Sequence, residues 1–213
     1  MKGIYLVTDE AACLGRPVLS VVSEAVKAGI TCVQLREKNQ GTRVFLERAK
    51  ALKKLLEPFC IPLIINDRID IALAAGADGV HIGQSDMPYT DARKLMGRDA
   101  VIGLSVETWE DVETAETLDV DYLGVSPVFS TPTKTDTKAP WGIEGLKKIR
   151  AFSRHALVAI GGLGPSNATE IVEAGADSIA VVSAICSAPD PFNAAGRLVR
   201  IFKHINSTKE TRP

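Results

Sequence analysis

The chain has 213 residues, 46% of them hydrophobic and 24% charged, with 25 Lys and Arg against 26 Asp and Glu. That make-up belongs to one globular domain able to hide roughly 70% of its extended surface, and it excludes collagen-like, mucin-like and disordered chains. A formal net charge of −1 leaves no basic surplus for a nucleic-acid backbone or an anionic membrane.

The four cysteines, Cys13, Cys32, Cys60 and Cys186, are scattered and form no CxxC. Reduced thiols are expected, not a disulfide framework or a zinc site. The opening run MKGIYLVTDE is too short for a signal-peptide core, and no apolar run reaches the about 18 residues of a membrane span. A cytoplasmic protein is the expectation.

Runs rich in Val, Ile and Leu at 4–7, 32–35, 63–65, 79–82, 101–106, 122–128, 157–160 and 178–182 predict strands. Helical spacing fills 19–28, 43–56, 69–75, 90–96, 109–118, 143–152, 166–174 and 191–205. The strand runs lack apolar/polar alternation, which marks strands covered on both faces in a parallel sheet. Three junctions share one form: Ala28-Gly29, Ala75-Gly76-Ala77-Asp78 and Ala174-Gly175-Ala176-Asp177. Each predicts a left-handed glycine just past a helix, then a strand start. Eight βα units in so short a chain describe an α/β fold, a single (β/α)8 TIM barrel over 1–206 with a polar tail at 207–213. The first βα turn, Thr8-Asp9-Glu10-Ala11, lacks GxGxxG, which argues against a doubly wound dinucleotide-binding sheet.

In such a barrel the chemistry lies at the carboxyl ends of the strands. Arg36, Lys38 and Lys134 are cations on three segments that converge there, and Asp67 and Asp86 are carboxylates after adjacent strands. Two carboxylates completed by substrate phosphate oxygens are the usual way to hold Mg²⁺, and Arg and Lys beside them point to a diphosphate. Gly161-Gly162 lets backbone amides approach a second anion. Val182-Ser183-Ala184-Ile185 resembles the start of the short extra helix of barrel phosphate sites. Each piece alone also has a structural reading: Arg36 and Glu37 as a solvated ion pair, Asp67 as a helix cap, Asp86 as a turn residue, His81 as packing inside a strand. His155 and His204 read as surface residues. No HExxH, GxSxG or triad occurs, and no lysine sits within a strand for imine chemistry.

Eight segments together resemble the thiamine-phosphate synthase family: Tyr5-Leu6-Val7-Thr8-Asp9, Gln34-Leu35-Arg36-Glu37-Lys38, Ile65-Asn66-Asp67-Arg68, Gly79-Val80-His81-Ile82-Gly83-Gln84, Ile102-Gly103-Leu104-Ser105, Thr131-Pro132-Thr133-Lys134, Ala159-Ile160-Gly161-Gly162 and Val181-Val182-Ser183-Ala184-Ile185. The resemblance implies two phosphorylated small-molecule substrates, a pyrimidine diphosphate and a thiazole phosphate or its carboxylated form, with Mg²⁺. It implies that Gln34, Leu35, Arg36, Glu37, Lys38, Asn66, Ser105 and Lys134 hold the pyrimidine diphosphate. Of these, Arg36, Lys38, Ser105 and Lys134 would act on the reaction itself. It assigns Asp67 and Asp86 to the metal, and Thr131, Pro132, Thr133, Gly162, Val182 and Ser183 to the thiazole phosphate. Ser126 stands where the family usually has Gly, which narrows the pocket, and 135–138 reads as part of a lid. The rivals are a thiazole tautomerase on the same barrel, which should lack part of the diphosphate and metal set, and a non-catalytic sensor of thiamine precursors. The sequence leaves the oligomeric state open.

Overall fold

In the computed structural model, which describes residues 2–131 and 138–210, the eight apolar runs are eight strands. They are β1 (Gly3–Val7), β2 (Cys32–Leu35), β3 (Leu63–Asn66), β4 (Gly79–Ile82), β5 (Val101–Val106), β6 (Tyr122–Val125), β7 (Ala156–Ala159) and β8 (Ser178–Val181). All neighbours pair in parallel, and β8 returns to β1, closing the barrel. Nine α-helices are found among the described residues, and the longer ones wrap the outside: α1 (Val18–Lys27), α2 (Thr42–Leu56), α3 (Ile69–Ala75), α4 (Tyr89–Met96), α5 (Trp109–Ala115), α6 (Gly142–Phe152), α7 (Ala168–Glu173) and α9 (Pro191–Glu210). The short α8 (Ser183–Cys186) follows β8. No helix among the described residues is long and apolar enough to cross a membrane.

Two apolar layers hold this frame. Alternate strand residues such as Ile4, Leu6, Val33, Leu35, Leu63 and Ile65 pack outward against the helices. The others, among them Tyr5, Val7, Cys32, Ile64, Tyr122, Val158 and Ala180, fill the barrel. Both faces are buried, which is why the strands read as unbroken apolar runs. Inside, size is matched across strands. Gly103 leaves room for Tyr122, whose Cζ would lie 2.0 Å from a Cβ there.

The repeated junctions do more than turn the chain. Their glycines have positive φ, as expected, and in two of them an aspartate follows that ties the barrel floor together. Asp78 accepts from the Leu63 amide at 2.8 Å and Asp177 from the Leu157 amide at 2.9 Å. Asp121, at the start of β6, does the same for Ile102 at 2.8 Å. Each aspartate also meets a helix cation: Lys53, Arg150 and Arg93 respectively. One carboxylate thus joins two strands and a helix at each of these three positions.

Three expectations are corrected. The sixth strand ends at Val125 rather than at 128, because Pro127 has no amide hydrogen to continue the ladder. The last helix runs through Glu210 rather than ending at 205. His155 is buried, not superficial, with Nδ1 3.0 Å from the Val120 carbonyl and Nε2 3.2 Å from that of Ala115.

Candidate active site

The carboxyl ends of the strands surround a cavity of about 830 Å³. From β2 onward, side-chain alternation decides what reaches it. Gln34, Arg36 and Lys38 line it; Leu35 and Glu37, the residues between them, do not. Leu35 is fully buried in the outer apolar layer. Glu37 pairs with Arg48 of α2, and burial pushes its carboxyl above the usual carboxylate range, with Arg48 opposing the shift. The structure thus brings Gln34, Arg36 and Lys38 to the cavity but turns the side chains of Leu35 and Glu37, expected beside them, to the helix layer.

The cations of this segment are held by acids. Arg36 Nη1 lies 3.1 Å from Asp9 Oδ2 after β1, and the Arg36 amide donates to Thr8 Oγ1 at 3.2 Å. Lys38 Nζ lies 3.0 Å from Asp67 Oδ2. Asp67 follows the inward-facing Asn66, so alternation alone would turn it outward. Its left-handed backbone, φ 61°, which aspartate tolerates better than most residues, keeps it on the cavity wall beside Asn66. Its amide donates to the His81 carbonyl at 2.9 Å.

Asp86, in the loop after β4, accepts from the Gly83 amide through Oδ2 at 2.7 Å. Burial raises its pKa, and the facing Asp67 carboxyl adds to the rise. A divalent cation between two such carboxyls would relieve both effects. Among the described residues no group of three or more His, Cys, Asp or Glu is arranged to hold a metal. The pair Asp67–Asp86 is all-oxygen and incomplete by itself. That suits a hard cation which takes its remaining ligands from water and substrate phosphate.

The opposite wall is made by the β7 and β8 ends. Gly161 and Gly162 have φ 103° and 66°, and a Cβ on either would come within 3 Å of Pro127 or Phe129. Gly162, Val182 and Ser183 all line the cavity, with Ser183 opening α8. Thr131 lines it too; Pro132, Thr133 and Lys134, together with 135–137 of the expected lid, lie outside the described residues. Lys138 is described and stands at the cavity edge.

Sequence reasoning missed several lining residues. Tyr5, His81, Tyr122, Glu107 and Asp111 all reach the cavity, as does Ser126, which was expected at the pocket. For His81 the signal was parity. It pairs in register with Asn66 and with Gly103, and all three face inward. Asp111 belongs to a capping box with Thr108 at the start of α5, and T-x-x-D after a strand is a legible pattern.

The fold and site define a class: a small (β/α)8-barrel enzyme whose mouth offers one acidic, cation-flanked wall and one wall of backbone amides. The chain belongs to the thiamine monophosphate synthase family, whose model matches residues 4–185, and its curated relatives are thiamine-phosphate synthases, which are transferases. It is 60% identical to the thiamine-phosphate synthase of Albidiferax ferrireducens over 199 residues, 93% of this chain and 91% of that one. It is 52% identical to that of Leptospira biflexa over 206 residues, 95% and 98% of the two chains. The solved thiamine phosphate pyrophosphorylase of Pyrococcus furiosus superposes with a TM-score of 0.88 at 37% identity, covering 95% of this chain and 96% of its own. A 3-hexulose-6-phosphate synthase at 19% identity and TM-score 0.68 shares the barrel alone.

Proposed function

We propose that the protein joins 4-amino-5-hydroxymethyl-2-methylpyrimidine diphosphate to hydroxyethyl-thiazole phosphate, plain or carboxylated, forming thiamine monophosphate and releasing diphosphate, with CO2 released as well from the carboxylated form. The observation that carries this reading is the division of one cavity into two anion-binding walls. Arg36, Lys38 and the Asp67–Asp86 pair stand on one side. Gly161, Gly162, Val182 and Ser183 stand on the other.

The reaction breaks the bond between the pyrimidine methylene and the diphosphate oxygen, and the thiazole nitrogen then takes that carbon. Neither step asks the protein for a nucleophile or a base, which agrees with the absence of a triad. Its residues must stabilise charge growing on the leaving diphosphate and hold the acceptor in line. Arg36 and Lys38 carry out the first task, joined by Lys134. Asp67 and Asp86 would hold Mg²⁺, which supplies further positive charge to the diphosphate oxygens. Gln34, Asn66 and Ser105 orient the pyrimidine. Thr131, Pro132, Thr133, Gly162, Val182 and Ser183 anchor the thiazole phosphate, where free amides and a short helix start favour an anion. A cytoplasmic location suits four free thiols.

The test is an endpoint assay on purified protein with both substrates and Mg²⁺, against an EDTA control, with product read by mass. Metal-dependent thiamine phosphate is the expected result. Binding of both ligands without product would overturn the assignment in favour of a tautomerase or a sensor.

A further inference from the structure

A line of side-chain hydrogen bonds crosses the barrel along the lining of the cavity. Gln34 Nε2 donates to Tyr5 Oη at 2.9 Å. The Tyr5 and Tyr122 hydroxyls are 2.9 Å apart. Tyr122 Oη lies 3.0 Å from His81 Nδ1, and His81 Nε2 lies 2.8 Å from Ser105 Oγ. Five strands contribute one residue each, and the two ends of the line, Gln34 and Ser105, are cavity-wall residues.

The chemistry of the groups fixes the direction of the line. A phenol has one proton to give. Tyr5 Oη already accepts from Gln34 and is buried, so its own proton needs an acceptor. The Cys32 thiol beside it is a weak acceptor; the Tyr122 oxygen is a strong one. Tyr5 therefore donates to Tyr122. Tyr122 in turn has only its own proton to give, and His81 Nδ1 is in reach. Burial raises the pKa of both phenols, so both stay protonated. An imidazole that accepts at Nδ1 carries its hydrogen on Nε2, and there it meets Ser105 Oγ.

We infer that Tyr5, Tyr122 and His81 are positioning residues: their one-way hydrogen-bond line, started by Gln34, holds His81 as the Nε2–H tautomer and makes Ser105 Oγ an acceptor from below, so that the Ser105 hydroxyl donates into the cavity. The same line occupies Gln34 Nε2 and leaves Gln34 Oε1 as the acceptor. The site thus offers one donor and one acceptor. An aminopyrimidine needs both, because its ring nitrogens accept and its amino group donates. This last step rests on the proposed function; the tautomer does not.

The experiment uses the full chain with ¹⁵N-labelled histidine. Long-range ¹H–¹⁵N spectra report the tautomer of each histidine without any ligand, and His81→Gln identifies the His81 signals. The expected wild-type result is a neutral ring with hydrogen on Nε2. Tyr122→Phe removes the proton aimed at Nδ1 and should release the tautomer, giving Nδ1–H or a mixture. Tyr5→Phe cuts the line one step earlier. Both variants should lower kcat/KM for the pyrimidine diphosphate about tenfold, the scale of one lost hydrogen bond, while the KM for thiazole phosphate stays within about twofold. A merely structural role would move stability but neither the tautomer nor this split between substrates. Hydrogen on Nδ1 in the wild type overturns the inference, whether or not either variant folds. Phe variants with wild-type kinetics also overturn it. Absence of product from the wild type would instead count against the proposed function, and the spectra would still decide the tautomer.

Discussion

The ammonium of Lys38 lies 3.0 Å from the carboxylate of Asp67, linking the segment after β2 to the end of β3. About half of the Lys38 side chain is exposed, so the pair is worth at most about 1 kcal/mol and breaks easily. Under the proposed function, a metal would take the carboxylate and Lys38 would turn to the diphosphate. Lys38→Ala should lower turnover about a hundredfold, the scale of one preorganised charge, without weakening the apparent Mg²⁺ affinity. A Mg²⁺ titration of initial rates reads both. A Mg²⁺ requirement that rises as turnover falls would show that Lys38 supports the metal site instead.

Arg36 is fixed by Asp9 on one side and by its own backbone on Thr8. Because it is already in place, removing it deletes charge stabilisation without freeing a compensating group. Arg36→Ala and Asp67→Ala should each cost at least about a hundredfold in turnover. Wild-type-like steady-state rates in both would refute the roles assigned to them.

Gly162 has φ 66°, and a Cβ there would meet Phe129 Cβ at 2.8 Å and the Ser130 carbonyl at 2.9 Å. Gly162→Ala must strain the backbone or push the loop after β6, at a cost of about 1–3 kcal/mol. The KM for thiazole phosphate should rise about tenfold or more, with the KM for the pyrimidine diphosphate little changed. Equal effects on both substrates would contradict the division of the cavity into two walls.

Glu37 and Glu10 both pair with Arg48. Burial raises the Glu37 pKa despite Arg48, and Arg48 lowers that of Glu10. Removing Arg48 raises both. A raised carboxyl pKa means that folding loses stability as pH rises through it, while below the usual carboxylate range the protonated acids need no partner. Arg48→Met should therefore be destabilised most at pH 7, by about 3 kcal/mol for breaking a largely buried pair, and progressively less toward pH 4. Thermal melts across that range check it, and a deficit independent of pH would show that Arg48 acts through packing.

Asp177 joins the Leu157 amide to Arg150 at the end of the barrel away from the cavity. Asp177→Ala should cost about 1–3 kcal/mol, as expected when a backbone amide loses its partner. Steady-state constants for both substrates should be unchanged below the new melting range. A large loss of kcat would mean that the floor of the barrel is coupled to its mouth.

Much of this molecule is written in local pattern. Apolar runs of three to seven residues, spaced by helical periods, are enough to count eight βα units, because both faces of every strand are buried. The junction glycines declare their positive φ by residue type. Gln34, Arg36, Lys38, Asn66 and Ser105 share inward parity and line the cavity; position and charge single out Arg36 and Lys38, whereas the uncharged three stand out only by resemblance. Leu35 and Glu37 show the limit: they sit in the same motif, yet alternation sends their side chains to the helix layer.

What the sequence alone determined is the barrel and the chemical character of its mouth, since period and charge are local properties. Which groups meet was decided only by closure of the barrel. Asp67 reaches the cavity through a left-handed backbone that overrides alternation. His81, legible only as a packing residue, becomes the link between Tyr122 and Ser105. Tyr5 and Tyr122 are 117 residues apart, and their hydroxyls meet at 2.9 Å. Such contacts depend on strand stagger around a closed ring and on the gap that Gly103 leaves, quantities that no window of the sequence contains.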